Sequence, residues 1–264
     1  MQKTLISGLT LIGTIFVLLS PNTAAAFKLL SHRAVYDLSL APGDNGKISR
    51  ADGRLVLEWA DTCDGYTTEQ RMLMLLDIED GVVRSDYQFS SWESKDGDQF
   101  RYDVKTVFGN LEPEVFRGRA NRNKGTGLAT FTKPANLKLK LPKKIVFPSE
   151  HMALLIDQAA KGERQISMPM FDGTGEGGLF EAVAFVLGKA PEKPVDLLAS
   201  YADTPGWRVQ LSFFDLNNLD QLPTYKVNFT IYSNGVAGDV VMDYSDFAVH
   251  GKLSDFKVLP STGC

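Results

Sequence analysis

The sequence predicts a mainly β protein: one antiparallel sheet curled toward a barrel, with a single α-helix covering an open side. Three observations predict it. Most segments alternate apolar and polar residues with a period of two, so each turns one face to a core and the other to solvent. Gly, Asn, Asp and Pro punctuate those segments at short intervals, as turns between strands require. One stretch, 148–162, instead has the three-and-four spacing of an amphipathic helix.

Taken in order, Ala34, Tyr36, Leu38 and Leu40 share one face of the first run, which ends at the turn 42–46. Leu55, Leu57 and Trp59 do the same ahead of a loop carrying Cys63. Thr67–Ile78 then turns at Glu79-Asp80-Gly81 and returns as Val82–Trp92, and the next turn, 95–98, leads to Phe100, Tyr102, Val104 and Val107. These are consecutive hairpins. The basic cluster Arg117, Arg119, Arg122 and Lys124 follows; alternation places Arg117 and Arg119 together on a solvated strand face, with an anion or partner contact as the alternative. Lys138 and Lys140 alternate with Leu137, Leu139 and Leu141 in another half-exposed strand.

In the helix, Ser149 is placed to cap the N-terminus, Glu150 suits the positive end of the dipole and Gly162 is placed to end it. Met152, Leu155, Ile156 and Ala159 form its apolar face. Gly173, Gly175 and Gly178 match the spacing of a dinucleotide fingerprint, but that fingerprint needs a following helix, and Leu179–Leu187 reads as a strand. A wide hairpin turn is the reading. Strand pattern resumes at Trp207 with Val209, Leu211 and Phe213, continues in Tyr225–Tyr232, turns at Asn234-Gly235 and runs on as Val240–Val249 and to Leu259. The total is about twelve to fourteen strands.

Residues 1–26 read as an export signal: Lys3, the apolar run Leu5–Leu19, then Ala24-Ala25-Ala26 for cleavage, with Phe27 opening the mature chain. The run is shorter than the roughly 20 residues a spanning helix needs. No Cys follows it to take an N-terminal lipid. The expected product is one soluble domain, 27–264, in an exported compartment and not membrane-spanning. With 27 basic residues left after loss of Lys3, against 32 acidic ones, its overall balance gives no reason to expect nucleic acid or an anionic membrane surface as partner.

Cys63 and Cys264 are the only cysteines. In an exported chain two cysteines are expected to form one disulfide, the alternatives being two free thiols or a bond to another chain. Catalytic signatures are missing. The three histidines, His32, His151 and His250, form no metal-binding pair by spacing, and His-Glu-x-x-His, Gly-x-Ser-x-Gly and Cys-x-x-Cys do not occur. Carboxylates with local logic for a hydrolase are Glu58, Asp61 and Asp64, and Asp239, Asp243 and Asp246. Asp243 and Asp246, three apart in a strand, would face opposite sides, and Asp61 and Asp64 more simply serve a turn. No catalytic, cofactor-binding or metal-binding residue is assigned.

Several stretches together resemble the EipB family of periplasmic cell-envelope integrity proteins of Gram-negative bacteria. They are 31–38 (Ser31 to Leu38), 63–68 (Cys63 to Thr68), 91–93 with Phe100, 132–135, 147–152 (Phe147 to Met152), 171–173 and 244–247. The resemblance implies a spiral or half-open barrel-like antiparallel sheet around a central helix. It implies a non-enzymatic role in envelope integrity, through binding an envelope component or protein partner, and a disulfide between Cys63 and Cys264. The family fold is itself similar to periplasmic lipoprotein carriers, which raises an alternative: a carrier for a lipid or lipoprotein acyl chain in a cleft between sheet and helix. The oligomeric state is left open.

Overall fold

The computed structural model describes residues 29–43, 46–123, 126–191, 196–201, 203–218 and 222–260; residues 1–26, where an export signal is expected, Lys124 and Cys264 lie outside them. Fourteen antiparallel strands form one sheet. The first eight are β1 (His32–Leu40), β2 (Arg50–Asp61), β3 (Gly65–Ile78), β4 (Gly81–Ser94), β5 (Gln99–Phe108), β6 (Glu114–Asn123), β7 (Thr126–Lys133) and β8 (Lys138–Leu141). The helix α1 (Pro148–Ala160) follows, then β9 (Gln165–Phe171), β10 (Leu179–Lys189), β11 (Gly206–Asp215), β12 (Tyr225–Tyr232), β13 (Ala237–Asp243) and β14 (Ala248–Val258).

Each strand in β1–β8 pairs with its successor, each in β9–β14 does likewise, and β1 pairs with β14. The two edges of the sheet are therefore β8 and β9, joined in sequence through α1. The sheet is nearly closed and barrel-like, with a gap where β8 and β9 stay unpaired, and the helix packs against the inner faces of the strands. The connecting segment narrows that gap further: Val146 N–H donates to Pro169 O (2.9 Å) and Val146 O accepts from Phe171 N–H (3.1 Å).

The expected alternation holds where a strand faces the core on one side. Ala34, Tyr36 and Leu38 point inward, and Tyr36 donates its hydroxyl to Ala237 O at 3.1 Å. The inner faces of β1, β2 and β9–β14 pack on Leu155, Ile156 and Ala159 of α1 as one apolar cluster. A second, aromatic cluster fills β4–β7. There Phe147, just ahead of the helix, stacks on Phe100 (4.8 Å), and Phe171, ending β9, meets Phe100, Tyr102 and Phe131 edge-on. These two residues wedge the seam shut from either edge.

The glycine-rich stretch is a hairpin connection between β9 and β10, with a 3-10 turn at Gly175–Gly178, and it leads into a strand as the sequence indicates. One strand expectation is corrected. The run Val240–Val249 is broken, because Tyr244 N–H closes a turn on Phe247 O (2.9 Å) and Ser245 adopts φ +71°. Asp243 ends β13 with its carboxylate accepting from Ser245 N–H (2.9 Å), and Asp246 lies in the turn.

Candidate functional site at the start of the helix

The start of α1 is its most constrained part. Pro148 takes the first helical position, where its missing N–H costs nothing. Phe147 is the N-cap residue and supplies no side-chain cap. Ser149 does not cap the helix either: its hydroxyl accepts from Trp59 Nε1–H at 3.2 Å. The cap comes from across the fold. Glu93 of β4 accepts Ser149 N–H on Oε1 (2.8 Å) and Glu150 N–H on Oε2 (3.2 Å), satisfying two amides that a helix start leaves open. Glu150 pairs in turn with Arg122 (2.8 Å), whose guanidinium also donates to Ile145 O (2.6 Å) and lies over the Phe147 ring. Arg122 thus leaves the solvated basic group and ties β6 to the helix. At the other end Gly162, with φ +90°, donates to Ala159 O and Glu163 N–H to Gln158 O, the two bonds of a Schellman stop.

Glu93 is 1% exposed. Burial raises its pKa from 4.5 to about 7, against the lowering effect of the Ser149 and Glu150 hydrogen bonds. Because the folded value lies above the unfolded one, Glu93 favours the folded state most below its unfolded pKa, and that contribution is lost as pH rises through about 7. His151, equally deep, acts with the opposite sign: burial holds it at about 4, so its contribution is present above 6.5 and lost as pH falls through 4. The gain in stability of Glu93→Gln over the parent should therefore grow as pH is raised from 5 to 8, by on the order of 2 kcal/mol. Urea unfolding at stepped pH measures it; the altered hydrogen bonds of the substituted amide add a constant offset only, and a pH-independent difference would mean that Glu93 is ionised throughout.

Beside the capped end lies a pocket of about 260 Å³ between helix and sheet, walled by Leu30, Leu57, Trp59, Phe89, Met152 and Ile231, with His32, Thr68, Gln70 and Ser149 also lining it. His32 is 3% exposed; Nδ1–H donates to Leu30 O (2.7 Å), and Nε2 is a buried acceptor with no hydrogen-bond partner. The volume is just below the range of drug-sized pockets.

The cysteine turn adjoins the same corner. Thr62 closes the β2–β3 hairpin by donating N–H and hydroxyl to Gly65 O (2.9 and 2.8 Å). Gly65 is required there, since a Cβ would stand 2.2 Å from Glu93 O. Ser31 binds both arms of the expected clasp: its hydroxyl accepts from Asp61 N–H (2.9 Å) and its carbonyl from Leu259 N–H (2.9 Å). The tail is thus held, through Ser31, to the end of β2, two residues ahead of Cys63. Five further residues, reaching up to ~17 Å, carry it to Cys264.

The carboxylates considered for hydrolysis do not converge. Asp61 pairs with Lys95, Asp64 accepts from Thr62, Asp239 accepts from Leu253 N–H and Asp243 pairs with Lys226. Glu58 lies opposite Glu69 on the outer face, in a groove of about 480 Å³ shared with Asp103. Burial, then Glu58 and Asp103, raise the Glu69 pKa, yet the groove is open and Asp103 is bound to Arg117, so nothing excludes water from the acids. Among the described residues no group of His, Cys, Asp and Glu could hold a metal ion, and no helix is long and apolar enough to cross a membrane. Sequence reasoning missed Glu93. Its signal was phase: Phe89, Ser91 and Glu93 share the inward face of β4, where an acid is out of place without partners.

Comparison with known proteins gives three findings. The signature of a family described as EipB-like matches residues 23–260. A protein named Cell envelope integrity protein EipB, from Brucella abortus, is 32% identical over 254 residues, covering 92% of this chain and 90% of its own. A crystal structure described as a beta-barrel-like protein of domain of unknown function DUF1849, also from Brucella abortus, superposes with a TM-score of 0.79 at 31% identity, covering 88% of this chain and 99% of its own.

Proposed function

The chain belongs to the EipB-like family, and from that premise we propose that it is a non-enzymatic periplasmic protein that maintains the cell envelope by contact with another envelope component. The observation that carries the reading is the 32% identity, along nearly the whole chain, to a protein named for cell envelope integrity. The interior supports it. The buried acid Glu93 is used as a helix cap, and the helix face is packed against side chains of the sheet. One exported domain, 27–264, with 1–26 removed and Cys63 bonded to Cys264, is part of the same proposal. Deleting the gene from its host should increase sensitivity to detergents and cell-wall antibiotics, and the full chain should restore resistance. Unchanged sensitivity would overturn it.

A second reading, carriage of a lipid or lipoprotein acyl chain, is favoured by one observation: the apolar pocket beside α1. Native mass spectrometry of protein drawn from the envelope should then show a bound apolar ligand, and repeated recovery of bare protein sinks it.

A further inference from the structure

Charge is distributed unevenly along this chain. Residues 99–146 contain eleven Lys and Arg against three Asp and Glu, a net +8 inside a chain whose total is −4. The overall balance that argued against an anionic partner therefore conceals a strongly cationic segment. The fold turns Arg122 toward the helix but gathers Arg101, Arg117, Arg119, Lys133, Lys138 and Lys140 on one surface, because β5 to β8 are consecutive neighbours at one end of the sheet. The register sets Arg101 opposite Arg119, Arg119 opposite Thr130 and Thr130 opposite Lys138. One row away Leu128 lies opposite Lys140, and in the row on the other side Arg117 lies opposite Lys133. Their inward neighbours Phe100, Tyr102, Ala120 and Ala129 fill the aromatic core, so these cations point to solvent, and all are exposed.

Compensation is sparse. Arg117 is paired with Asp103, whereas Arg101, Arg119, Lys133, Lys138 and Lys140 have no ion pair among the described residues. Arg101 and Arg119 stand directly opposite on adjacent strands, an arrangement of like charges that costs the sheet stability until an anion lies between them. Two further features select the kind of anion. Leu128, 42% exposed, stands among the cations, and Arg101 lies over the ring of Trp92 in the neighbouring strand. Basic side chains on a broad sheet face, with a Leu and a Trp among them, fit the interfacial zone of a bilayer, where headgroup phosphates lie above apolar chains.

We propose that the outer face of β5–β8 docks on an anionic phospholipid surface. The proposal rests on the reading that the protein acts by contact within the envelope, and it names the component contacted.

Flotation of the full exported chain with vesicles tests it. The protein should bind vesicles of phosphatidylcholine mixed with phosphatidylglycerol, not phosphatidylcholine alone, and release as salt is raised. Arg101→Gln, Arg119→Gln, Lys138→Gln and Lys140→Gln together should weaken binding by about fivefold per charge, roughly six hundredfold overall. Lys252→Gln with Lys257→Gln, exposed on β14, should leave it unchanged. If the quadruple variant fails to fold, Lys138→Gln with Lys140→Gln on the edge strand is expected to show the same loss per charge. Equal binding by parent and variant, no preference for the anionic vesicles, or binding of a polyglutamate peptide without binding of vesicles would overturn it, the last assigning the face to an acidic protein. Antibiotic sensitivity of the deleted strain tests the envelope role separately from vesicle binding, so the failure of one is distinguishable from failure of the other.

Discussion

Phe147→Ala is expected to destabilise the protein by about 3–5 kcal/mol, the range for removing a fully buried aromatic ring. In a chain of this length that corresponds to a fall in melting temperature of roughly 2–4 °C for each kcal/mol. Phe147 is fully buried, stacks on Phe100 and lies beneath the guanidinium of Arg122. It also holds the N-cap position of α1, beside the two amides that Glu93 accepts. Loss of the ring therefore empties the aromatic cluster where Phe100 is held between Phe147 and Phe171. Phe185→Ala is the matched control: Phe185 is 38% exposed on β10, so its removal should cost under about 1 kcal/mol. Urea unfolding of both variants measures the contrast, and equal losses would show that the seam does not depend on Phe147.

Cys63→Ser should lower stability by about 2–4 kcal/mol, with roughly 5 kcal/mol as the ceiling for a loop that spans most of the chain. A large core has to survive the change, so the variant should fold and melt cooperatively at a lower temperature. The informative comparison is with Cys264→Ser. If the two sulfurs form one bond, each single variant carries the whole loss and the double variant adds nothing, a complete failure of additivity. Reductant should bring the parent down to the level of the variants. Two single variants with unequal losses that sum in the double would refute the pairing. Ser31 makes the expectation concrete, since it holds Asp61 and Leu259 through its hydroxyl and carbonyl on either side of β1.

Much of the sheet was legible because strands alternate. Ala34, Tyr36 and Leu38 read as one inward face and are one. Turns were legible where glycine was needed: Gly81 and Gly235 adopt φ +120° and +82° at the two hairpins read from Glu79-Asp80-Gly81 and Asn234-Gly235. The break after Asp243 was not, because Tyr244 and Phe247 are good strand residues and the positive φ falls on Ser245, which advertises nothing. The helix was recognised from its spacing, while its cap was assigned to the wrong residue. Ser149 is the local candidate, but the carboxylate that does the capping arrives from 56 residues away, and no short-range pattern records it. The cationic face registered only in part, as the cluster around Arg117 and Arg119; that strand pairing adds Arg101 and Lys138 to the same row is not written in any local pattern.

The pairing of β1 with β14 fixes when the protein can be finished. On the proposed export route the chain crosses the membrane N-terminus first and folds on the far side, so an interval separates the arrival of β1 from that of β14. Throughout that interval His32–Leu40 has a single neighbour, and its second flank is an unoccupied template for any passing strand. Native contacts so distant in sequence also make for slow closure. The molecule's vulnerability thus belongs to its infancy: until Ala248–Val258 arrives, β1 and β13 each present an open flank to the space that β14 fills.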